Sequence, residues 1–169
     1  WPNLALEWVI NGTVHNNSHH NVSNHNTSKS NLSQIDTEAS YPYQGVDNTC
    51  VYNSSSRGAN ITGIVEIPSD NVALLLDALL SVGPISVAID AEDDFQFYSS
   101  GIYNSTMCSP DQLDHAVLAV GYGVAPNGKR YYIIKNSWGT SWGMDGYIYM
   151  STNITNMCGM ATAASYPVV

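Results

Sequence analysis

Two short stretches of this chain place a histidine and an asparagine some twenty residues apart, each beside an apolar segment. DQLDHAVLAVGYG contains His115, and YYIIKNSWGTSWGMDGY contains Asn136, with Trp138 and Trp142 directly downstream. A carboxamide that accepts a hydrogen bond from an imidazole N–H fixes the orientation of the ring, and a neighbouring indole can shield that bond from water. Considered alone, His115 is more often read as a core histidine bonded to backbone groups. Asn136 and the indoles favour the base and orienting residue of a nucleophilic catalytic group.

A histidine oriented by an asparagine usually serves a thiol nucleophile. Such a pair exists as thiolate and imidazolium, in which the cysteine pKa falls to about 3–4. The chain has three cysteines, Cys50, Cys108 and Cys158, and an odd count leaves one thiol without an intrachain partner. Cys50 lies in VDNTCVYN, which lacks the glycine turn or helix start that activates a thiol. These residues therefore predict a base and an orienting residue without an evident nucleophile.

The elements that must position these residues form an α+β pattern. NLALEWVI is read as the end of a helix, and PSDNVALLLDALLSVGP as a helix capped by Ser69 or Asp70 and ended by Gly83 and Pro84. Its predicted apolar face consists of Val72, Leu75, Leu76, Leu79 and Leu80. The strands are predicted in ITGIVEI, PISVAID, HAVLAVGYG, RYYIIKNS, GYIYMS and ASYPVV. Together they predict a barrel-like sheet with His115 at a strand edge, open to a cleft.

Composition limits the possible partners. The net charge is −9 with only five Lys and Arg residues, which excludes a nucleic-acid partner because phosphate binding needs clustered basic side chains. The longest apolar runs fall well short of the ~20 residues that span a bilayer, so no membrane segment is predicted. The chain opens on WPNLALEWVI, with neither Met nor a basic signal region, and we expect this start to be a cut.

A five-residue repeat occupies positions 11–35, where each unit opens with an N-x-[ST] glycosylation sequon. We predict an exposed, disordered or glycan-coated insert, since the stretch buries too little apolar surface to offset its ordering entropy. Its four histidines lack Cys or carboxylate at ligand spacing, so no metal site is predicted. The candidate glycosylation sites are Asn11, Asn16, Asn21, Asn26 and Asn31 in the repeat, and Asn53, Asn60, Asn104 and Asn153 beyond it.

LDHAVLAVGYG and YYIIKNSWGTSWGMDGYIYM resemble the His and Asn motifs of the papain-like cysteine proteases. GPISVAIDA and CGMATAASYPVV are most similar to the cathepsin L group, and the resemblance covers nearly the whole chain outside the insert. It implies a lysosomal or secreted thiol endopeptidase that acts on peptide or protein substrates and needs no cofactor. It also implies a two-lobe fold, with residues 1–10 ending a left-lobe helix and residues 36–169 forming mainly the right-lobe β-barrel.

The resemblance assigns roles residue by residue. His115 would be the general base and acid, Asn136 its orienting partner, Trp138 the shield of their bond, and Trp142 a wall on the leaving-group side. Cys108 and Cys158 match a disulfide pair of the family. The pocket for the substrate's P2 residue would be apolar and favour a bulky hydrophobic side chain, whose burial is worth about 1.5–3 kcal/mol. Its predicted residues are Pro2, Ala88, Leu113, Ala116 and Ala163.

The chain departs from the family at the nucleophile. The C-G-x-C-W segment and the preceding oxyanion-hole glutamine do not occur in it. Cys50 matches a cysteine whose family partner lies in that segment, so an N-terminal chain or segment bonded through Cys50 is a predicted partner. We therefore expect a C-terminal portion that is inactive alone.

Two alternatives change the chemistry on the same fold. One is a silicatein-like protein, with a serine nucleophile that promotes silica condensation, and the other is a catalytically dead homologue. Asp114 before His115, and a polar insert built of sequons instead of a serine-rich run, favour the protease. The residue at the nucleophile position distinguishes all three.

Overall fold

The computed structural model describes residues 2–11 and 34–169, which form a mixed α+β fold as predicted. The described residues divide into two compact units. The first unit takes its residues from Asn3–Val65 and Pro167–Val169, and the second consists mainly of Glu66–Tyr166. No helix within the described ranges is long and apolar enough to cross a membrane.

The first unit contains helix α1 (Pro2–Asn11), strand β1 (Gln34–Asp36), a 3₁₀ turn at Ser54–Ser56 and strand β2 (Arg57–Asn60). β1 and β2 are antiparallel. The backbone N–H of Asn53 donates to the Asp36 carboxylate at 3.0 Å, and the Asn53 side chain caps the 3₁₀ turn. α1 includes Asn11 and β1 begins at Gln34, so ordered elements extend into both ends of the range predicted for the insert. The remainder of that range, residues 12–33, lies outside the described residues.

A seven-stranded sheet forms the main β structure. Its strands are β3 (Gly63–Ile67), β4 (Ile85–Ile89), β5 (Ile102–Tyr103), β6 (His115–Val124), β7 (Arg130–Lys135), β8 (Tyr147–Ser151) and β9 (Ala164–Val168). They lie in the order β3-β9-β4-β6-β7-β8-β5. β4, β6, β7 and β8 pair antiparallel, whereas β5 lies parallel to β8. Two helices accompany the sheet, α2 (Val72–Ser81) and α3 (Asp93–Gln96).

Helix α2 begins one residue later than the capping prediction required. Asn71 is the N-cap, and its side-chain oxygen accepts from the backbone N–H of Leu74 at 3.0 Å. The prediction of Ser69 or Asp70 was wrong because Asp70 adopts φ 62° and its carboxylate accepts from the amide of Asn156 instead. The predicted apolar face was wrong at one position, since Leu80 is 69% exposed.

Alternating side chains of β7 and β8 build the core next to the site. Ile134 of β7 and Ile148 and Met150 of β8 are fully buried, because one face of each strand turns inward. Tyr132 is also inside, and its burial raises the pKa of its hydroxyl to about 12. β4 is buried nearly throughout, as expected for a central strand covered on both faces. This core holds β4, β6 and β7 rigidly where the candidate residues emerge.

Candidate functional site

His115 and Asn136 lie at the same end of two adjacent strands. His115 is the first residue of β6, and Asn136 directly follows Lys135, the last residue of β7. Because β6 and β7 are antiparallel, the beginning of one strand lies beside the end of the other. The two side chains meet there, with His115 Nε2 2.8 Å from Asn136 Oδ1.

The backbone next to Asn136 determines the direction of this hydrogen bond. The N–H of Ser137 donates to Asn136 Oδ1 at 2.8 Å, and a backbone N–H can only donate. The atom facing the ring is therefore the amide oxygen, so Nε2 of His115 carries the proton and donates it. In the neutral ring, Nδ1 is then left unprotonated and able to accept a proton. Asn136 is itself fixed, because its backbone N–H donates to the Gly146 carbonyl at 3.0 Å and its side chain is buried.

Two indoles lie against this pair. Trp138 stacks on the imidazole of His115 with ring centroids 5.0 Å apart and an interplanar angle of 30°. Trp142 contacts Trp138 edge-on at 5.2 Å, and its Nε1–H donates to the backbone carbonyl of Gln96 at 3.0 Å. Trp138 is 40% exposed, so it covers one face of the imidazole while its other side meets solvent.

Phe95 of α3 joins this aromatic cluster and was missed by the sequence analysis. It is fully buried, with ring centroids 6.1 Å from His115, 5.7 Å from Trp138 and 5.3 Å from Trp142. α3 is only four residues long and acidic at its start, so it shows no helical apolar period. The one available signal was an aromatic residue directly after a run of carboxylates.

Tyr103 contacts the aromatic cluster through Phe95. Its ring lies 5.8 Å from that of Phe95, and its hydroxyl donates to the carboxylate of Asp94 at 2.7 Å. Burial, and then this bond, raise the pKa of the Tyr103 hydroxyl well above its usual range. The hydroxyl therefore stays protonated and keeps β5 attached to α3 at ordinary pH.

Three of the predicted pocket residues are neighbours: Ala88 and Ala116 in paired strands, and Ala163 directly before β9. Ala88 of β4 lies directly opposite Ala116 of β6, and the Ala88 backbone N–H donates to the Ala163 carbonyl at 3.1 Å. Ala88 is buried, whereas Ala116 and Ala163 are exposed. Two of the three methyl groups, those of Ala116 and Ala163, therefore reach the surface.

The other two predicted pocket residues have different surroundings. Leu113 is half-buried and lies over Gly159, where any side chain would overlap it. No described contact joins Leu113 to the three alanines. Pro2 begins α1, and its side chain is not among the described ones.

A disulfide between Cys108 and Cys158 fixes the segment that leads to His115. Asp90 reinforces it on both sides, since its carboxylate accepts from Ser109 N–H at 2.6 Å and its own N–H donates to the Cys158 carbonyl at 2.9 Å. The third cysteine, Cys50, is exposed and has no disulfide partner. The approach to β6 is therefore held covalently and by a buried carboxylate.

The four candidate glycosylation sites beyond the repeat lie at the surface. Asn53, Asn60, Asn104 and Asn153 are exposed. Asn11 is the last residue of α1, and the other repeat sequons, at Asn16, Asn21, Asn26 and Asn31, fall outside the described residues. The four histidines of the repeat fall outside them as well.

Comparison with known proteins identifies the family to which this chain is similar. The model of the papain family cysteine proteases matches residues 2–168. A cathepsin L-like peptidase of Aedes aegypti is 52% identical over 136 residues, which cover 80% of this chain and 40% of the relative. Digestive cysteine proteinase 3 of Homarus americanus is 55% identical over 136 residues, covering 80% and 42%.

Comparison with solved structures also identifies a cathepsin L relative. Digestive procathepsin L 3 of the Tenebrio molitor larval midgut matches with a TM-score of 0.77 and 44% identity, covering 80% of this chain and 44% of that one. The chain spans about two-fifths of the length of the curated relatives it matches. Since the family model spans nearly all of its residues and about half of the aligned residues are identical in cathepsin L relatives, the chain belongs to the papain family of cysteine proteases, in its cathepsin L-like group.

Proposed function

We propose that this chain supplies the general base and the orienting amide of a cathepsin L-like cysteine endopeptidase. One observation carries the proposal: the 2.8 Å bond between His115 Nε2 and Asn136 Oδ1, whose direction follows from the Ser137 N–H. That bond leaves Nδ1 of His115 as the nitrogen available for chemistry. The thiol comes, in this proposal, from a C-G-x-C-W segment, and the oxyanion-hole glutamine from the residues just before it; neither is in the 169 residues.

The imidazole would act twice in each turnover. Nδ1 takes the proton of the thiol, and the thiolate attacks the carbonyl carbon of the scissile peptide bond. The imidazolium then donates that proton to the leaving amine, and an acyl-enzyme remains. A water molecule attacks the acyl-enzyme while Nδ1 accepts its proton, and the thiol is regenerated. Asn136 serves both charge states, because Nε2 carries a proton in each and the amide oxygen accepts it throughout.

A carboxamide is sufficient in this role because the working state is an ion pair. The imidazolium is stabilised by the thiolate, so a second negative charge behind the ring is unnecessary. Trp138 keeps water from one face of the ring, and a dry environment strengthens the bond to Asn136.

The specificity proposal is a bulky hydrophobic residue at P2. Ala88, Ala116 and Ala163 contribute only methyl groups, and Leu113 and Pro2 complete the proposed pocket with apolar side chains. Burying one large apolar side chain is worth about 1.5–3 kcal/mol, which corresponds to roughly 10–150-fold in kcat/KM over an alanine at P2. A substrate series that differs only at P2, from alanine to leucine to phenylalanine, measures this directly.

The proposed setting is lysosomal or extracellular. The Cys108–Cys158 disulfide favours an oxidising compartment, and the exposed sequons fit secretory processing. In the same proposal, Cys50 forms a disulfide with the segment that carries the nucleophile.

The decisive experiment begins with the residues that precede this sequence in the full gene product. A Cys in a C-G-x-C-W segment supports the peptidase, a Ser at that position points to the silicatein-like alternative, and any other residue points to a dead homologue. The mature product containing both parts is then assayed on fluorogenic dipeptide substrates. His115→Ala should lower kcat by at least about a thousandfold, since triad members act as a unit.

Two controls accompany the assay. Cys50→Ser removes the proposed disulfide to the nucleophile segment but no group that takes part in the chemistry, so turnover per folded molecule should remain. A polypeptide limited to the 169 residues should show no turnover. Normal turnover by that polypeptide, or by the His115→Ala form, would refute the proposal.

A further inference from the structure

Phe95 occupies the centre of the aromatic cluster around the candidate imidazole. It is fully buried and contacts four rings, those of Tyr103, His115, Trp138 and Trp142, at centroid distances of 5.3–6.1 Å. Three of these contacts are edge-on, with interplanar angles of 72–88°, the arrangement that aromatic pairs prefer.

We infer that Phe95 is a positioning residue, which holds the indole of Trp138 on the imidazole of His115 and so keeps the Nε2–H bond to Asn136 dry. The inference rests on the proposed function. Trp138 is 40% exposed, so solvent does not restrain it on its outer side. Its restraint comes from inside, where Phe95 meets it at 85° and Trp142 at 82°.

Phe95 is suited to this role because α3 is itself anchored at both ends. The carbonyl of Gln96 accepts from the indole Nε1–H of Trp142, and the carboxylate of Asp94 accepts from the hydroxyl of Tyr103. The backbone N–H of Phe95 donates to the carbonyl of Glu92 at 2.9 Å. The ring therefore cannot follow a movement of Trp138, and the indole has a fixed surface against which to rest.

Loss of the phenyl ring should act on the imidazole without touching its hydrogen-bond partner. Leucine at position 95 fills less of the space under the indole, so Trp138 can tilt and admit water to the Nε2–H···Oδ1 bond. An imidazole N–H that is sheltered from water exchanges its proton slowly, and one that water reaches exchanges rapidly. We expect Phe95→Leu to speed Nε2–H exchange at least tenfold.

The test is NMR of the ¹⁵N-labelled 169-residue chain, with exchange of the His115 Nε2 proton and the ring ¹⁵N shifts as readouts. Phe97→Leu is the matched control, because it makes the same change two residues away at a side chain that is 84% exposed. Leu75→Ala is the stability control, because Leu75 is fully buried in α2, an element that supplies none of the rings of the aromatic cluster. If Phe95 only stabilised the fold, the exchange rate of the Nε2 proton would follow the free energy of unfolding in every variant.

The inference stands if Phe95→Leu speeds exchange at least tenfold while both controls, at matched fraction folded, stay within twofold of the parent. It is overturned if Phe95→Leu stays within twofold, or if Leu75→Ala speeds exchange as much. If Phe95→Leu does not fold, the inference is decided by the exchange rate of the His115 Nε2 proton in Phe95→Met and in the parent chain. A parent Nε2 proton too fast to observe at neutral pH, or a Phe95→Met variant that exchanges like the parent, overturns it. Peptide turnover enters none of these readouts, so a failure of the proposed function remains a separate result.

Discussion

Removing the Cys108–Cys158 disulfide should destabilise this protein strongly, even though the cysteines lie outside the proposed chemistry. The bond connects residues 50 positions apart and holds the segment that leads to His115. The perturbation is the double variant Cys108→Ala/Cys158→Ala, which avoids leaving a thiol or hydroxyl in a site where Cys158 is 1% exposed.

The magnitude follows from the length of the closed loop. In the chain-entropy model, a cross-link over about 50 residues removes roughly 14 cal/mol/K from the unfolded ensemble, which is about 4 kcal/mol at 25 °C. The two hydrogen bonds that Asp90 makes beside the disulfide remain in the variant, so the native state keeps part of its local order. For a protein of this size, a loss of about 4 kcal/mol lowers Tm by roughly 8–16 °C.

The assay is guanidinium unfolding followed by circular dichroism and tryptophan fluorescence. The measurements are made on the 169-residue chain, in which Cys50 is exposed and unbonded, so Cys50→Ala is the matched control and should change the free energy of unfolding by less than about 0.5 kcal/mol. Reductant should bring Cys50→Ala to the stability of the double variant and leave the double variant unchanged. A loss below about 1 kcal/mol, or a reductant effect that persists in the double variant, would refute the reasoning.

Three further predictions concern packing, capping and pH. Gly159→Ala should destabilise by more than Gly128→Ala, measured by thermal melting, because both have positive φ but only residue 159 has a side chain packed above it; equal losses would contradict the described overlap. Asn71→Ala should cost about 1 kcal/mol and Ser69→Ala almost nothing, which urea unfolding distinguishes and the reverse order would overturn. The free energy of unfolding should fall as pH rises from 10 toward 12, because burial raises the folded-state pKa of Tyr132 to about 12 and only the unfolded chain releases that proton near pH 10. Denaturant midpoints that stay constant in the parent across this range, or that fall as steeply in Tyr132→Phe as in the parent, would contradict it.

Much of the sheet was predictable because its signals are local. RYYIIK and GYIYMS are short runs rich in aromatic and aliphatic residues, a composition that favours strands, and the structure buries Ile134 and Ile148 on the inward face of those strands. β6 and β7 are joined by a short connection containing Gly128, so an antiparallel pair follows from the sequence alone. Once these strands are paired, the start of one and the end of the other must lie together.

The errors occur where a tertiary contact outweighs a local preference. Asp70 is a good N-cap by residue type, yet its carboxylate bonds to Asn156, which is 86 residues away, and Asn71 caps the helix. Leu80 fits the helical apolar period, but none of the elements in the described part of the chain covers it, so it stays exposed. The apolar period of a sequence identifies one face of a helix, but it does not show how much of that face other elements will cover.

The sequence by itself determined the kinds of group available: an imidazole and a carboxamide at adjacent strand ends, two indoles after them, and a disulfide pair implied by family resemblance. Only the tertiary structure decided how these groups act. The Ser137 N–H donates to Asn136 Oδ1, and this contact shows that the proton of the His115–Asn136 bond is on Nε2. The phenyl ring beneath Trp138 comes from α3, whose Gln96 carbonyl accepts from the indole of Trp142, 46 residues away. Residue type and spacing are properties of the chain, whereas a hydrogen-bond direction or a ring contact depends on distances between segments that only folding brings together.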